Sequence, residues 1–273
     1  MKSETFPASP VSENGSAISA RANVLGVGVH AINPEIAAGL IESAIDQGRK
    51  GYVCVTNVHS VMEAQNDHCF RDVLNHAFLV TPDGVPTVWI GKLQGHSSMA
   101  RVYGPDLMLD LCRRSVSKGY SHFLYGGRPG VAEELSARLK EKFPGIRIAG
   151  SYTPPFRPLS SDEEEELRAL VEELKPEIFW VGIGCPKQER MMAEYIKKLD
   201  TKIMIGVGAA FDIHTGRIKD APDWIKTLGL QWFHRLLQEP RRLAERYLIK
   251  NPQFIYRVLL QFTGVRKYHL DNC

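Results

Sequence analysis

The feature that most constrains the fold is the alternation of short β-branched or aromatic runs with segments of helical spacing. The runs predict strands over Asn23–Val29, Tyr52–Thr56, Ala77–Thr81, His122–Tyr125, Arg147–Ser151, Ile178–Ile183 and Lys202–Val207. The segments between them predict helices over Pro34–Gln47, Pro105–Ser117, Pro129–Lys142, Ser161–Leu174 and Pro186–Leu199. Several of these begin with proline or follow a serine, as helices commonly do. The alternation therefore predicts an α/β fold with a mostly parallel sheet and helices on both faces.

The two ends of the chain differ from this pattern. Residues 1–22 are rich in Ser, Pro, Asn and Glu without an apolar run, which predicts a disordered lead-in rather than a secretory signal. The main α/β domain is predicted over residues 23–220. Residues 221–273, here called the C-terminal appendage, predict short helices broken at Pro240 and Pro252. No stretch reaches the ~20 apolar residues that span a bilayer, so an integral membrane protein is not expected.

The charge distribution indicates what kind of partner the chain binds, and the cysteine content indicates the redox compartment. Residues 224–268 carry nine Lys or Arg against two acids, and therefore +7, whereas the whole chain carries +3. A basic, partly apolar tail predicts a polyanionic partner such as a diphosphate or an anionic membrane surface. No nucleic-acid motif accompanies it, so no nucleic-acid partner is predicted. The five cysteines form no CxxC pair, which favours a reducing cytosol over a disulfide framework or a zinc site.

Ligands of parallel sheets bind beyond the C-terminal ends of the strands, so the residues that follow each strand are the candidates. Asp83, in Thr81-Pro82-Asp83-Gly84, could be a general base, or it could simply cap the next helix. Gly126 and Gly127 open a helix and could cradle a phosphate or form a tight structural turn. The loop Gly182–Glu189 is a second candidate anion loop, with Lys187 as a cation and Gln188 as a reader of base or sugar, or it could simply be a capped helix start with solvated polar residues.

Metal chemistry has little support in the sequence. His59, His96 and His214 are not at metal-ligand spacing, and the chain has no HExxH or DxD sequence. We therefore expect no metal site and no cofactor. The charge of a leaving group would then be stabilised by helix ends and by arginines such as Arg235, Arg242 and Arg246 in the appendage, whose spacing places them on one helical face.

Taken together, the segments resemble the WecG/TagA/CpsF glycosyltransferases, also called glycosyltransferase family 26. The resemblance runs in register from about residue 23 to 262. It is carried by Val55–Ser60, Thr81–Gly84, Arg101–Leu107, Phe123–Gly127, Gly182–Glu189, Gly206–Asp212, Trp232–Leu236 and Glu239–Arg242.

The resemblance implies a Rossmann-like catalytic domain and an inverting transfer from a UDP-sugar to a polyprenyl-diphosphate-linked acceptor. N-acetylmannosamine or a related sugar would be transferred in cell-surface polysaccharide synthesis, on the cytoplasmic face of the plasma membrane. It also implies that Asp83 is the general base, with Thr56 and Asn57 in the same pocket. The implied substrate-binding residues are Arg101, Gly104, Gly126, Gly127, Gly184, Lys187, Gln188, Gly208, Phe211, Asp212, Arg235, Arg242 and Arg246, with Arg241 as an alternative to Arg246.

Two rival functions stay open on the sequence. One is a transferase of the same fold that moves glucose or another hexose in exopolysaccharide assembly, since the nucleotide-binding motifs do not reveal the sugar. The other is a nucleotide-binding regulator whose basic tail contacts DNA, which would tolerate loss of Asp83 and bind DNA in a salt-sensitive way. The apolar tail could also be buried between subunits, so a homo-oligomer is a further expectation.

Overall fold

The computed structural model describes residues 20–270, and six of the strands in this range form one parallel sheet. The strands are β1 (Arg21–Val24), β2 (Val27–His30), β3 (Gly51–Thr56), β4 (Leu79–Pro82), β5 (Ser121–Gly126), β6 (Arg147–Tyr152), β7 (Ile178–Gly182) and β8 (Ile203–Gly206). The sheet has the order β4-β3-β8-β7-β5-β6, and all neighbouring strands in it run parallel. The predicted α/β class with a parallel sheet is confirmed.

Helices cover both faces of this sheet. The helices of the main domain are α1 (Pro34–Asp46), α2 (Val58–Asn66), α3 (His68–Asn75), α4 (Val85–Leu93), α5 (Gly104–Lys118), α6 (Val131–Lys142), α7 (Ser161–Leu174), α8 (Lys187–Tyr195) and α9 (Ala210–His214). Strand residues alternate between two cores, as a pleated strand requires. Val53 and Val55 of β3 pack in the core of α1, α5 and α6, whereas Cys54 packs in the core of α2, α3, α7 and α8.

The predicted strand Asn23–Val29 is wrong: this segment is a hairpin. Leu25 and Gly26 both have positive φ, 55° and 84°, which is the conformation of a type I′ turn between antiparallel strands. The hairpin pairs Val24 with Val27 and forms a two-stranded sheet of its own. Because Val24, Leu25 and Val27 are all buried, the apolar run conceals the turn in the sequence.

Four helices of the main domain were not predicted from the sequence: α2 and α3 connect β3 to β4, α4 follows β4, and α9 follows β8. The suggestion that Asp83 caps the following helix is also wrong. Gly84 is the N-cap residue of α4, and no side chain caps that end. The Asp83 side chain is therefore available for another role.

The appendage consists of helices packed along one edge of the main domain. They are α10 (Asp223–Thr227), α11 (Gln231–Gln238), α12 (Pro240–Ala244), a π-helical turn (Glu245–Ile249) and α13 (Lys250–Phe262). The break expected at Pro252 is wrong, since α13 runs through it. Proline lacks an N–H and crowds the preceding turn, and the wider π-helical turn before it accommodates both effects.

The last helix of the appendage is anchored to the hairpin. Phe254 is buried in the core of α2 and α3, and Gln261 bonds to the backbone of Asn23 and Leu25. Within residues 20–270 no helix is both long and apolar enough to cross a membrane. The predicted lead-in, residues 1–22, lies outside the described residues apart from its last three, and two of these, Arg21 and Ala22, belong to β1.

Candidate active site

A cleft of about 250 Å³ opens at the C-terminal edge of the sheet, above β3, β4 and β8. The helix that follows β3, α2, covers one face of the sheet, and the helix that follows β8, α9, covers the other. Such a divergence of connections leaves the crevice in which parallel sheets bind ligands. The appendage forms the remaining wall through Gln231, Trp232 and the segment Arg242–Tyr247.

Asp83 lies on the wall of this cleft, directly after β4. Its backbone N–H donates to the Thr56 carbonyl over 2.9 Å, which continues the pairing of β3 with β4 by one residue. Asp83 Oδ2 accepts a hydrogen bond of 3.4 Å from Asn57 Nδ2. Oδ1 is buried, lies 3.5 Å from Arg101 Nη2, and accepts no hydrogen bond from any described residue. One carboxylate oxygen is therefore held in place while the other keeps its lone pairs.

Asn57 is oriented by the start of α2. As the N-cap residue, it accepts hydrogen bonds through Oδ1 from the backbone N–H groups of His59 and Ser60. The same oxygen accepts from Arg246 Nη2 over 3.3 Å. Because three donors converge on the oxygen, the amide nitrogen of Asn57 must face Asp83. A strand end, a helix N-terminus and the appendage thus meet at one side chain.

Three arginines of the appendage, predicted to share one face, line the cleft together. Arg235 and Arg242 both donate to Glu239 Oε2, over 2.7 and 2.6 Å, and Arg246 contacts Asn57. The Nε atoms of Arg235 and Arg246 are buried without a hydrogen-bond partner in residues 20–270. Two guanidinium groups share one carboxylate and the third contacts an amide, so these arginines have donors and positive charge to spare for an anion. Arg241 is exposed and does not line the cleft.

Arg101 lies between Asp83 and the appendage. Its Nε donates to the Asp83 carbonyl over 2.5 Å, Nη2 donates to Gln231 Oε1, and the guanidinium stacks on the Tyr103 ring at 4.4 Å. Tyr103 in turn donates to Asp220 over 3.0 Å. The Arg101 side chain is therefore fixed on three sides.

Gln188 joins the glycine loops that follow β7 and β8. Its Oε1 accepts from the N–H groups of Gly184 and Gly208, over 3.2 and 3.1 Å, and its Nε2 donates to the buried Glu189 over 3.0 Å. Burial raises the pKa of Glu189. These bonds occupy the Gln188 oxygen, so at most one N–H of its amide is left for a ligand.

Other predicted site residues lie outside the lining of the cleft. Thr56 is buried and its hydroxyl donates to the Cys54 carbonyl, whereas Lys187 is exposed on α8. Gly126 and Gly127 have a packing role, because a Cβ on Gly126 would lie 2.6 Å from the Gly182 oxygen and one on Gly127 would lie 2.8 Å from Val131. Phe211 packs against Gly182. Asp212, which follows it on α9, is half-buried. A catalytic role for Thr56 and a part in substrate binding for the other five residues stay predictions.

The structure adds residues to the cleft that the sequence analysis did not select: His59, Tyr103 and Gln231. His59 was considered only as a metal ligand. Burial, with Arg246 nearby, lowers its pKa to about 4, so the ring is neutral near pH 7. His59 and Tyr103 belong to the segments Val55–Ser60 and Arg101–Leu107 quoted above, which could have indicated them, whereas nothing in the sequence points to Gln231. In residues 20–270 no group of three or more His, Cys, Asp or Glu could hold a metal ion.

Comparison with known protein families identifies the family of this chain. The family model described as "Glycosyl transferase WecG/TagA/CpsF family" matches residues 22–268. The chain belongs to this family. It is therefore a WecG/TagA/CpsF glycosyltransferase, and the resemblance seen in the sequence is confirmed.

Curated relatives of this glycosyltransferase include proteins of two Bacillus species. The chain is 29% identical over 225 residues to the N-acetylglucosaminyldiphosphoundecaprenol N-acetyl-beta-D-mannosaminyltransferase of Bacillus spizizenii, strain W23. It is 28% identical over 229 residues to the protein of the same name from Bacillus subtilis, strain 168. Each match covers 82% of this chain and 85% of the relative.

Proposed function

We propose that the chain transfers N-acetylmannosamine, or a related sugar, from a UDP-sugar to a saccharide linked to polyprenyl diphosphate. The transfer inverts the anomeric centre, and Asp83 is the general base. The observation that carries this proposal is the Asp83 carboxylate, anchored through Oδ2 and free of hydrogen bonds at Oδ1, in a cleft lined by Arg235, Arg242 and Arg246. The names of the two Bacillus relatives supply the donor sugar and the acceptor.

The mechanism is a single in-line displacement. The Asp83 carboxylate takes the proton of an acceptor hydroxyl as its oxygen attacks the anomeric carbon, and the bond from that carbon to the UDP oxygen breaks. Asp83 ends protonated, and the electron pair leaves on UDP. One displacement inverts the carbon, whereas retention would need two. The appendage arginines donate to the diphosphate as its charge grows, which stabilises the transition state more than the ground state.

Since the proposed acceptor is a lipid, we propose that the reaction takes place at a membrane surface, the cytoplasmic face of the plasma membrane. The appendage exposes large apolar side chains beside the cleft, with basic residues between them. The most exposed on its first two helices and the turn between them are Trp224, Leu228, Phe233 and Leu237. Basic and apolar residues in this mixture bind anionic membrane surfaces from one side, without spanning them. The catalytic domain would then receive its acceptor from the bilayer.

The test is turnover with a synthetic polyprenyl-diphosphate-linked N-acetylglucosamine and a panel of UDP-sugars, followed by UDP release with and without EDTA. We expect release with UDP-N-acetylmannosamine or a close relative, unchanged by EDTA. Release only with UDP-glucose or another hexose would instead assign the chain to exopolysaccharide assembly with the same base. Anomeric NMR of the product reports inversion directly. No release with any donor, in the presence of anionic vesicles, would refute the proposed reaction.

A further inference from the structure

A second polar network lies behind Arg101 and connects it to the appendage. Gln231, at the start of α11, accepts a hydrogen bond from Arg101 Nη2 and donates one from Nε2 to Asp220 Oδ1 over 3.0 Å. Asp220 also accepts from the Tyr103 hydroxyl over 3.0 Å and from the Ala221 N–H over 2.8 Å. Lys226 lies 2.6 Å from Asp220 Oδ2. The network runs without a gap from Asp83 to helix α10.

The orientation of the Gln231 amide is determined by its two partners. Arg101 has only donors and the Asp220 carboxylate has only acceptors, so the amide oxygen must face Arg101 and the amide nitrogen must face Asp220. Burial opposes ionisation of Asp220, but the hydrogen bonds from Lys226 and Tyr103 outweigh it and lower the pKa of this carboxyl. Asp220 thus remains a charged anchor that orients Gln231.

The geometry around Arg101 shows what Gln231 does to Asp83. Arg101 Nη2 bonds to the Gln231 oxygen and stays 3.5 Å from Asp83 Oδ1, the buried oxygen that accepts no hydrogen bond in the described structure. Without the Gln231 oxygen, that donor still lies 3.5 Å from Asp83 Oδ1. The contact would then shorten to the about 2.7–2.9 Å of a charge-assisted hydrogen bond. Such a bond stabilises the ionised carboxylate and makes it a poorer proton acceptor.

We propose that Gln231 is a positioning residue of the transfer reaction: anchored by Asp220, it holds the Arg101 guanidinium away from Asp83 Oδ1 and so keeps a charge-assisted hydrogen bond from weakening the carboxylate as a base. The inference rests on the proposed function, in which Asp83 is the base. It also makes the strength of the base depend on the appendage, because Lys226 and Gln231 belong to its helices α10 and α11.

The test uses the full-length protein and the substrates found in the turnover assay. Gln231→Met keeps the length of the side chain and removes both polar ends, with Gln231→Leu as a second variant should the first not fold. We expect kcat to fall about 10- to 100-fold, the usual range for a misplaced catalytic group. The KM values of donor and acceptor should change by less than about threefold, because a loss confined to the transition state leaves substrate binding intact.

A matched control lies on the same helix. Gln238 also ties α11 to the preceding segment, through both polar ends of its amide and the backbone of Lys219, but it does not line the cleft. Gln238→Met should therefore keep near wild-type kcat.

Two results would overturn the positioning role: a rise in KM with unchanged kcat in Gln231→Met, or a loss of kcat equal to that of Gln238→Met. Asp83→Asn, measured in parallel, distinguishes failure of the proposed base from failure of the positioning role alone. If Asp83→Asn stays active, the proposed base and this inference both fail. If Asp83→Asn is inactive while Gln231→Met is normal, only this inference fails.

Discussion

Asn57 and Asp83 each follow the last residue of a strand in the neighbouring pair β3 and β4, and the Asn57 amide donates to Asp83 Oδ2 over 3.4 Å. The register pairs Thr56 of β3 with Pro82 of β4, so the residues that follow them, Asn57 and Asp83, lie side by side. The alignment of the candidate base with its amide partner is therefore a consequence of sheet register, which is set by the buried residues of both strands.

Replacing Asp83 with Asn should lower kcat by about 10²–10⁴-fold, because the amide keeps the size of the side chain but cannot accept a proton. Binding of UDP, measured by calorimetry, should stay close to that of the unaltered protein. Asp72→Asn is the matched control, since Asp72 is exposed on α3 and does not line the cleft. Near-normal UDP release by Asp83→Asn would remove Asp83 as the base.

Much of the fold was predictable because burial on both sides of a parallel strand leaves apolar runs such as Ile178–Gly182 that are easy to recognise. The hairpin was not, since its turn at Leu25 and Gly26 is part of a continuous buried apolar run. Helix α2 was missed for a related reason. Its N-cap residue, Asn57, directly follows the last residue of β3. With no spacer between strand and helix, Asn57 resembles a loop residue in the sequence.

Residues of the candidate site were predictable from the sequence where they come just after a strand, as Asp83, Gly184 and Gly208 do. It was not predictable where the appendage folds back, because Gln231 and Arg101 are 130 positions apart and no local pattern connects them. Gly126 and Gly127 show why a sequence pattern alone does not identify a ligand site. A glycine after a strand can serve a ligand or a close backbone contact, and the 2.6 Å approach to Gly182 accounts for Gly126 without a ligand.

Arg246→Gln should lower kcat/KM by about 10- to 100-fold, the cost of losing a hydrogen bond from a charged donor. Arg246 contacts Asn57, the amide partner of Asp83, and its buried Nε has no hydrogen-bond partner in the described structure. Arg241→Gln is the matched control, because this arginine lies on α12 but outside the cleft. Equal kcat/KM values for the two variants, from initial rates, would contradict a specific role for Arg246.

Replacing Phe233 with Ser should weaken binding to anionic vesicles by about 10-fold, since it removes most of a large apolar side chain from the proposed membrane surface. Phe233 is 48% exposed, so the fold should tolerate the change. The measurement is co-sedimentation with vesicles containing phosphatidylglycerol. Val116→Ser is the control, since Val116 is similarly exposed, at 39%, but lies on α5 outside the appendage. Equal losses in both variants would argue against this surface.

The free energy of unfolding should fall as the pH decreases from 6.5 to 4, and His122 is one cause. Burial lowers the pKa of its imidazole to about 4, against the opposing effect of Glu177. Between these pH values the unfolded chain, with a histidine pKa of about 6.5, binds the proton and the native protein does not. Protonation thus favours unfolding, by about 1.4 kcal/mol per pH unit for this residue. Below pH 4 its contribution levels off.

The variant His122→Asn tests this assignment, because an asparagine oxygen can accept the hydrogen bond that Trp180 Nε1 donates to His122 Nδ1 over 2.9 Å. Urea unfolding of both proteins at pH 7, 6 and 5 gives the dependence of stability on pH. The variant should be less stable than the wild type at pH 7, yet its stability should fall less steeply, by about 1.4 kcal/mol per pH unit. Parallel curves would show that the acid sensitivity comes from other groups, of which His30, with its pKa lowered to about 3 mainly by burial, is the next to replace.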